Sequence, residues 1–163
     1  MSVRLRTILL LVVAMVLTAG ATAYATTTLR AGAAEDQPVV RTVLAEDENP
    51  AGAPGRTLAL SRVTVDPGAE LALHRHPGTQ IATIARGTLT YWVVRGGPVE
   101  VHRGDRLVRK VKAGERTRVQ TGEWMVEPPG TIHHAANQGR AEIEILLSTL
   151  FRNGAPPAIA VRP

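Results

Sequence analysis

His74, Arg75 and His76 set two imidazoles at positions i and i+2. On an extended segment both rings then project from one face, roughly 6.6 Å apart along the chain, close enough to reach one metal ion. Gln80 follows after three residues, and a third histidine, His133, stands far along the chain behind Pro128, Pro129 and Gly130. Three neutral imidazoles suit zinc, copper, iron or nickel and leave coordination positions open for water and substrate. The alternative is three satisfied polar residues inside a barrel. Gln80 is expected either as a fourth ligand through its amide oxygen or as a residue that orients bound water or substrate. As a ligand it adds no charge, so the ion keeps its full positive charge and is a stronger Lewis acid. An amide also cannot act as a general base.

Other polar residues read as structural. His134 adjoins His133 and therefore takes the opposite face of its strand, toward packing or solvent. His102 lies before the Arg103-Gly104-Asp105 turn and is expected in solvent. Tyr91, Trp92, Trp124 and Phe151 default to core packing. Ala82 and Ile84 share the parity of Gln80 and are candidates to line an apolar pocket. No Ser-His-Asp or Cys-His arrangement and no phosphate-cradling glycine loop is visible.

The elements that must carry these side chains are short and β-like. Alternation and β-branching predict strands over 39–45, 57–65, 71–76, 81–85, 89–94, 99–103, 106–111, 124–127, 133–136 and 142–150. Gly- and Pro-rich breaks separate them, as at Pro77-Gly78, Arg86-Gly87, Gly96-Gly97-Pro98 and Pro128-Pro129-Gly130. Ile143, Ile145 and Leu147 oppose Glu142 and Glu144, so the last long strand packs from one face. The Pro-containing tail 153–163 reads as an extended edge segment. Many short strands without a helical period argue for an all-β barrel or sandwich.

Two spaced patterns sharpen this reading. Gly68, five residues, His74-x-His76, three residues, Gln80, six residues and Gly87 form the first. Gly122, five residues, Pro128-x-Gly130, two residues, His133, three residues and Asn137 form the second. Together they resemble the two motifs of the cupin superfamily over roughly residues 56–151, with Gln80 where that family usually carries Glu. The resemblance implies a small jelly-roll β-barrel. It also implies one divalent transition metal ion (iron, manganese, copper, zinc or nickel) held by His74, His76, His133 and the residue at position 80.

The chain ends and composition bound the rest. Arg4 and Arg6, the apolar run from Ile8 to Leu17 and the alanine sites near Ala23 and Ala25 read as an export signal over 1–25. An uncleaved membrane anchor over 8–25 is the alternative. Residues 26–37 read as a flexible tether, and 38–163 as the cupin domain. Export implies a secreted or extracytoplasmic protein. With no cysteine, stability must come from a packed core rather than disulfides. The net charge of +5 falls once Arg4 and Arg6 are removed, and the remaining arginines are scattered among acids, so nucleic-acid binding is not expected.

The leading expectation is an exported, mononuclear metal-binding cupin acting on a small molecule, dioxygenase-like in chemistry. A non-catalytic metal- or metabolite-binding protein and a metal-dependent isomerase or cyclase stand beside it. Exposed edge strands and family habit make a homodimer the expected assembly.

Overall fold

A computed structural model describes residues 38–162; the expected signal, anchor and tether lie outside the described residues. Twelve strands build two antiparallel sheets. The larger is ordered β1 (Val39–Glu48), β2 (Arg56–Val65), β11 (Ile143–Arg152), β4 (Thr79–Arg86), β9 (Glu123–Glu127), β6 (Val99–Arg103) and β7 (Arg106–Val111). The smaller is ordered β12 (Ile159–Ala160), β3 (Glu70–Arg75), β10 (Ile132–Ala136), β5 (Thr88–Arg95) and β8 (Arg116–Gln120). The expected all-β jelly roll is what forms.

Period-two patterning explains which side chains meet between the sheets. Along β11, Ile143, Ile145, Leu147, Thr149 and Phe151 are buried, and the residues between them are half-buried or exposed. Val63 and Val65 on β2, Ala82 and Ile84 on β4, Leu89, Tyr91 and Val93 on β5 and Met125 on β9 complete the same core. Each fully buried Val, Ile or Leu side chain contributes roughly 1.5–3 kcal/mol relative to exposure. This one continuous cluster replaces the stabilisation that a cysteine-free chain cannot draw from disulfides.

One strand was not legible in the sequence, and the tail read as an edge segment has a definite partner. β8, Arg-Thr-Arg-Val-Gln, offers one buried apolar residue, Val119, and forms because it pairs along β5 at the sheet edge. β12 pairs with β3 at Arg75 and His74, so the tail is an edge segment that lies directly beside the histidine pair. Val161 N–H also donates to Leu73 O at 3.0 Å.

The glycine- and asparagine-bearing ends of the two motifs fasten β3 to β10. Gly68, with φ +80°, donates its N–H to Asn137 O, and Asn137 N–H donates to Ala69 O, both at 2.9 Å. The buried Asn137 amide donates to Val65 O and Ala141 O at 2.8 Å and accepts from Gly139 N–H at 2.9 Å. Every donor and acceptor of that side chain is used, so Asn137 pins the strand that carries His133.

Candidate metal centre

Cross-strand register brings the three histidines together. His74 on β3 pairs directly with His133 on β10, and His76 lies just beyond the end of β3, where its carbonyl accepts from Gly130 N–H at 3.2 Å. The ring centroids of His74, His76 and His133 lie 4.3–5.1 Å apart. One nitrogen from each lies within 4.8 Å of the others.

Hydrogen bonds decide which nitrogens face one another. His74 Nδ1 lies 2.6 Å from Ala72 O, His76 Nδ1 lies 2.9 Å from Pro157 O, and His133 Nδ1 lies 3.1 Å from Thr131 O. A carbonyl can only accept, so each Nδ1 carries the proton and each Nε2 is left with a lone pair. Burial lowers His76 and pushes His133 down to about 4, despite the opposing pull of Glu127. At neutral pH these two rings are therefore neutral bases.

The sequence reading missed the carboxylate that faces them. Glu127, on β9, lies directly opposite Gln80 on β4 and is 3% exposed. Its Oε1 is 3.2 Å from His133 Nε2 and its Oε2 is 3.5 Å from His76 Nε2. Burial alone would raise its carboxyl. The positive charge that His133 and His76 carry when protonated and the hydrogen bond from Gln80 outweigh burial and hold it below the ordinary glutamate range. An ionised carboxylate therefore confronts two nitrogen lone pairs at near-contact distance. Acceptors facing acceptors repel, and a cation among them removes the conflict.

Gln80 departs from the simplest ligand picture. Its Nε2 is 2.5 Å from Glu127 Oε2 and 3.0 Å from His76 Nε2, while its buried Oε1 has no hydrogen-bond partner. Because a carboxylate only accepts, the amide nitrogen must face Glu127, and the amide orients that carboxylate. The sequence expectation of uncompensated ion charge is corrected here: Glu127 supplies a negative charge from the neighbouring strand. Tyr91 Oη, also buried without a well-formed hydrogen bond, is close enough to feel that charge. Burial first and Glu127 second hold its hydroxyl well above the usual tyrosine range, so it stays protonated.

The donor set therefore fits a divalent transition metal: three converging imidazole lone pairs, one carboxylate and two orphaned oxygens. The centre opens into a cavity of about 420 Å³ whose walls are mostly aliphatic. Ala82 lines it as expected, whereas Ile84 belongs to the core. Tyr91 stacks on His133 at 5.1 Å and Phe151 on His76 at 6.1 Å, so both aromatics brace the ligand rings.

The remaining histidines lie outside the centre. His134 stacks on Trp92 at 4.5 Å, as its parity implied. His102 stacks on Trp124 at 4.2 Å and is 17% exposed, so it packs rather than standing in solvent.

A family model described as "Cupin domain" matches residues 61–110. No curated protein sequence matches the chain. Among solved structures, the DMSP lyase DddQ from Ruegeria pomeroyi DSS-3 superposes with a TM-score of 0.54 at 17% identity, over 82% of this chain and 57% of that one. An oxalate decarboxylase from Lactobacillus farciminis gives a TM-score of 0.53 at 18% identity, over 78% and 32%. A cupin 2 domain-containing protein from Halorhodospira halophila gives 0.50 at 19% identity, over 81% and 76%. At these identities the likeness is one of fold.

Proposed function

We propose, from the premise that this chain is a member of the cupin superfamily, that it is a mononuclear metal-dependent enzyme that oxidises a small molecule in dioxygenase-like fashion. The observation that carries this is the convergence of three Nε2 lone pairs and the Glu127 carboxylate at the base of an apolar cavity. His74, His76 and His133 would hold the ion. Gln80 contributes either its free Oε1 or, through Nε2, the orientation of Glu127.

A bound transition metal supplies Lewis acidity and, when redox-active, one-electron chemistry. The chain's own residues supply the rest. Glu127 is a buried, ionised base lining the cavity, suited to taking a proton from a substrate hydroxyl or thiol. Tyr91 keeps its proton and can donate a hydrogen bond to a developing oxyanion. The aliphatic walls lower the local polarity around both groups and strengthen both effects. Glu127 supplies, from the neighbouring strand, the general base that the Gln80 amide cannot be.

Residues 1–25 support export and an extracytoplasmic site of action, which N-terminal sequencing of the mature protein tests. Val40 and Leu44 on β1 and Leu58 and Leu60 on β2 leave exposed apolar side chains at a sheet edge, which supports a homodimer. The experiment for the reaction is oxygen uptake by protein reconstituted with iron, manganese, copper, nickel or zinc, screened against diketones, phenols and thiols. Substrate-dependent uptake with a redox-active metal and none with zinc is the expected result. Turnover that proceeds with zinc and without oxygen would assign the isomerase or cyclase reading instead.

A further inference from the structure

The cavity holds one cation that the metal centre does not use. Arg41, on edge strand β1, lines the same cavity as the three histidines. It is half-buried, and its Nη2 donates to the Oγ of Ser61, a residue with no exposed surface, at 3.1 Å. Several other strand arginines find glutamates: Arg62 with Glu144, Arg86 with Glu142, and Arg103 and Arg109 with Glu123. Arg41 has no carboxylate within ion-pair distance among the described residues. Arg41 also lines an adjoining recess together with Ser61, Glu46 and Glu48, and Glu70 lines the main cavity; none of these glutamates forms an ion pair with it.

A guanidinium offers five N–H donors in a rigid fork, and the Ser61 bond engages one of its nitrogens. That contact fixes the group without neutralising it. Around it the wall is aliphatic, with Val39, Val63, Leu71, Leu73, Ile145 and Leu147. A charge held against apolar surface is costly without a counter-charge, and the planar fork matches a carboxylate in bidentate geometry.

We infer that the substrate is a small aliphatic carboxylic acid, its carboxylate held by Arg41, its carbon chain against the aliphatic wall and its reactive end at the centre formed by the histidines and Glu127. This deepens the proposed function and rests on it for the placement of the reactive end. The carboxylate site itself stands on Arg41 and the cavity it lines, with Ser61 holding the guanidinium from the adjoining recess.

Hexanoate and its neutral isostere hexanamide are the probes, titrated calorimetrically into the full chain while metal content is measured in parallel. The parent protein is expected to bind hexanoate at least 10-fold more tightly than hexanamide. Arg41→Gln should weaken hexanoate by about 10- to 100-fold, leave hexanamide unchanged and keep the parent's metal content. Arg41→Lys, which keeps the charge but not the fork, should fall between them. The preference should survive in metal-stripped protein and in His74→Ala, so a failed metal reading leaves this result intact. Equal binding of both probes, binding of neither, or an Arg41→Gln protein that keeps the parent's preference would overturn the inference. Arg41 would then be only a charged guard on an exposed sheet edge. Should Arg41→Gln fail to fold, the comparison of the two probes on the parent and on Arg41→Lys decides alone.

Discussion

Replacing Glu127 by Gln should move stability and metal affinity in opposite directions. This carboxylate sits 3.2 Å from His133 Nε2 and 3.5 Å from His76 Nε2, with Gln80 Nε2 as its donor at 2.5 Å. A glutamine is isosteric, removes a charge that is 3% exposed, and can donate an N–H to one of those lone pairs. Relieving this conflict should stabilise the metal-free fold by about 1–3 kcal/mol, a rise in Tm of roughly 3–10 °C for a domain of this size. The same change removes a negative charge beside the ion and should weaken metal binding about 10- to 100-fold, or roughly 1.4–2.7 kcal/mol. Scanning calorimetry of metal-stripped protein and competition against a chelator read the two quantities separately. The double variant Gln80→Glu/Glu127→Gln moves the charge to its cross-strand neighbour and should recover metal affinity to within a few-fold. An E127Q protein that melts below the parent without metal, and binds metal as tightly as the parent, would refute the argument. Glu127 would then be a structural residue.

Other consequences can be checked in the same way. His74→Ala, His76→Ala and His133→Ala should each abolish tight metal binding. His134→Ala and His102→Ala should leave it unchanged and cost about 0.5–1.5 kcal/mol of stability through lost stacking on Trp92 and Trp124. A Cβ added at Gly78 would meet Phe151 Cδ1 at 2.6 Å and Leu150 O at 2.7 Å. Gly78→Ala should therefore destabilise by about 1–3 kcal/mol in denaturant titration, and by displacing the ring beneath His76 it should also lower metal affinity. Arg109 clamps the buried Glu123 with Nη1–Oε1 at 3.1 Å and Nη2–Oε2 at 2.6 Å, and these bonds, ahead of other causes, hold the Glu123 carboxyl below its ordinary range. A depressed carboxyl stabilises the fold above its unfolded pKa and loses that contribution as pH falls through the folded value. Arg109→Ala should thus cost about 2–4 kcal/mol at pH 7 and flatten the dependence of stability on pH below about 4; an unchanged acid profile would contradict this.

The amino-acid sequence by itself determined the strand set around the centre, the histidine pair and the distant third histidine. These are local quantities: i, i+2 spacing sets a shared face, and Gly or Pro at the breaks sets where strands stop. The alternation of Ile143, Ile145 and Leu147 against Glu142 and Glu144 likewise sorted the faces of β11 before any partner was known. Parity along β9 also put Glu127 on the face of Met125, yet parity does not say what lies opposite. Only the pairing of β4 with β9 set Glu127 against Gln80, and only the pairing of β3 with β10 gathered His74 and His133. Arg41 escaped notice for the same reason: on strand β1 it is one arginine in an alternating run, and it becomes a cavity cation only when β1 packs along β2 beside Val63. β8 carries too few apolar residues to be read locally and exists because β5 offers it an open edge, while the tail was legible as an edge segment but its partner, β3, was not. The charge facing the imidazoles depends on which side chains converge across strands, a property that no single stretch of sequence contains.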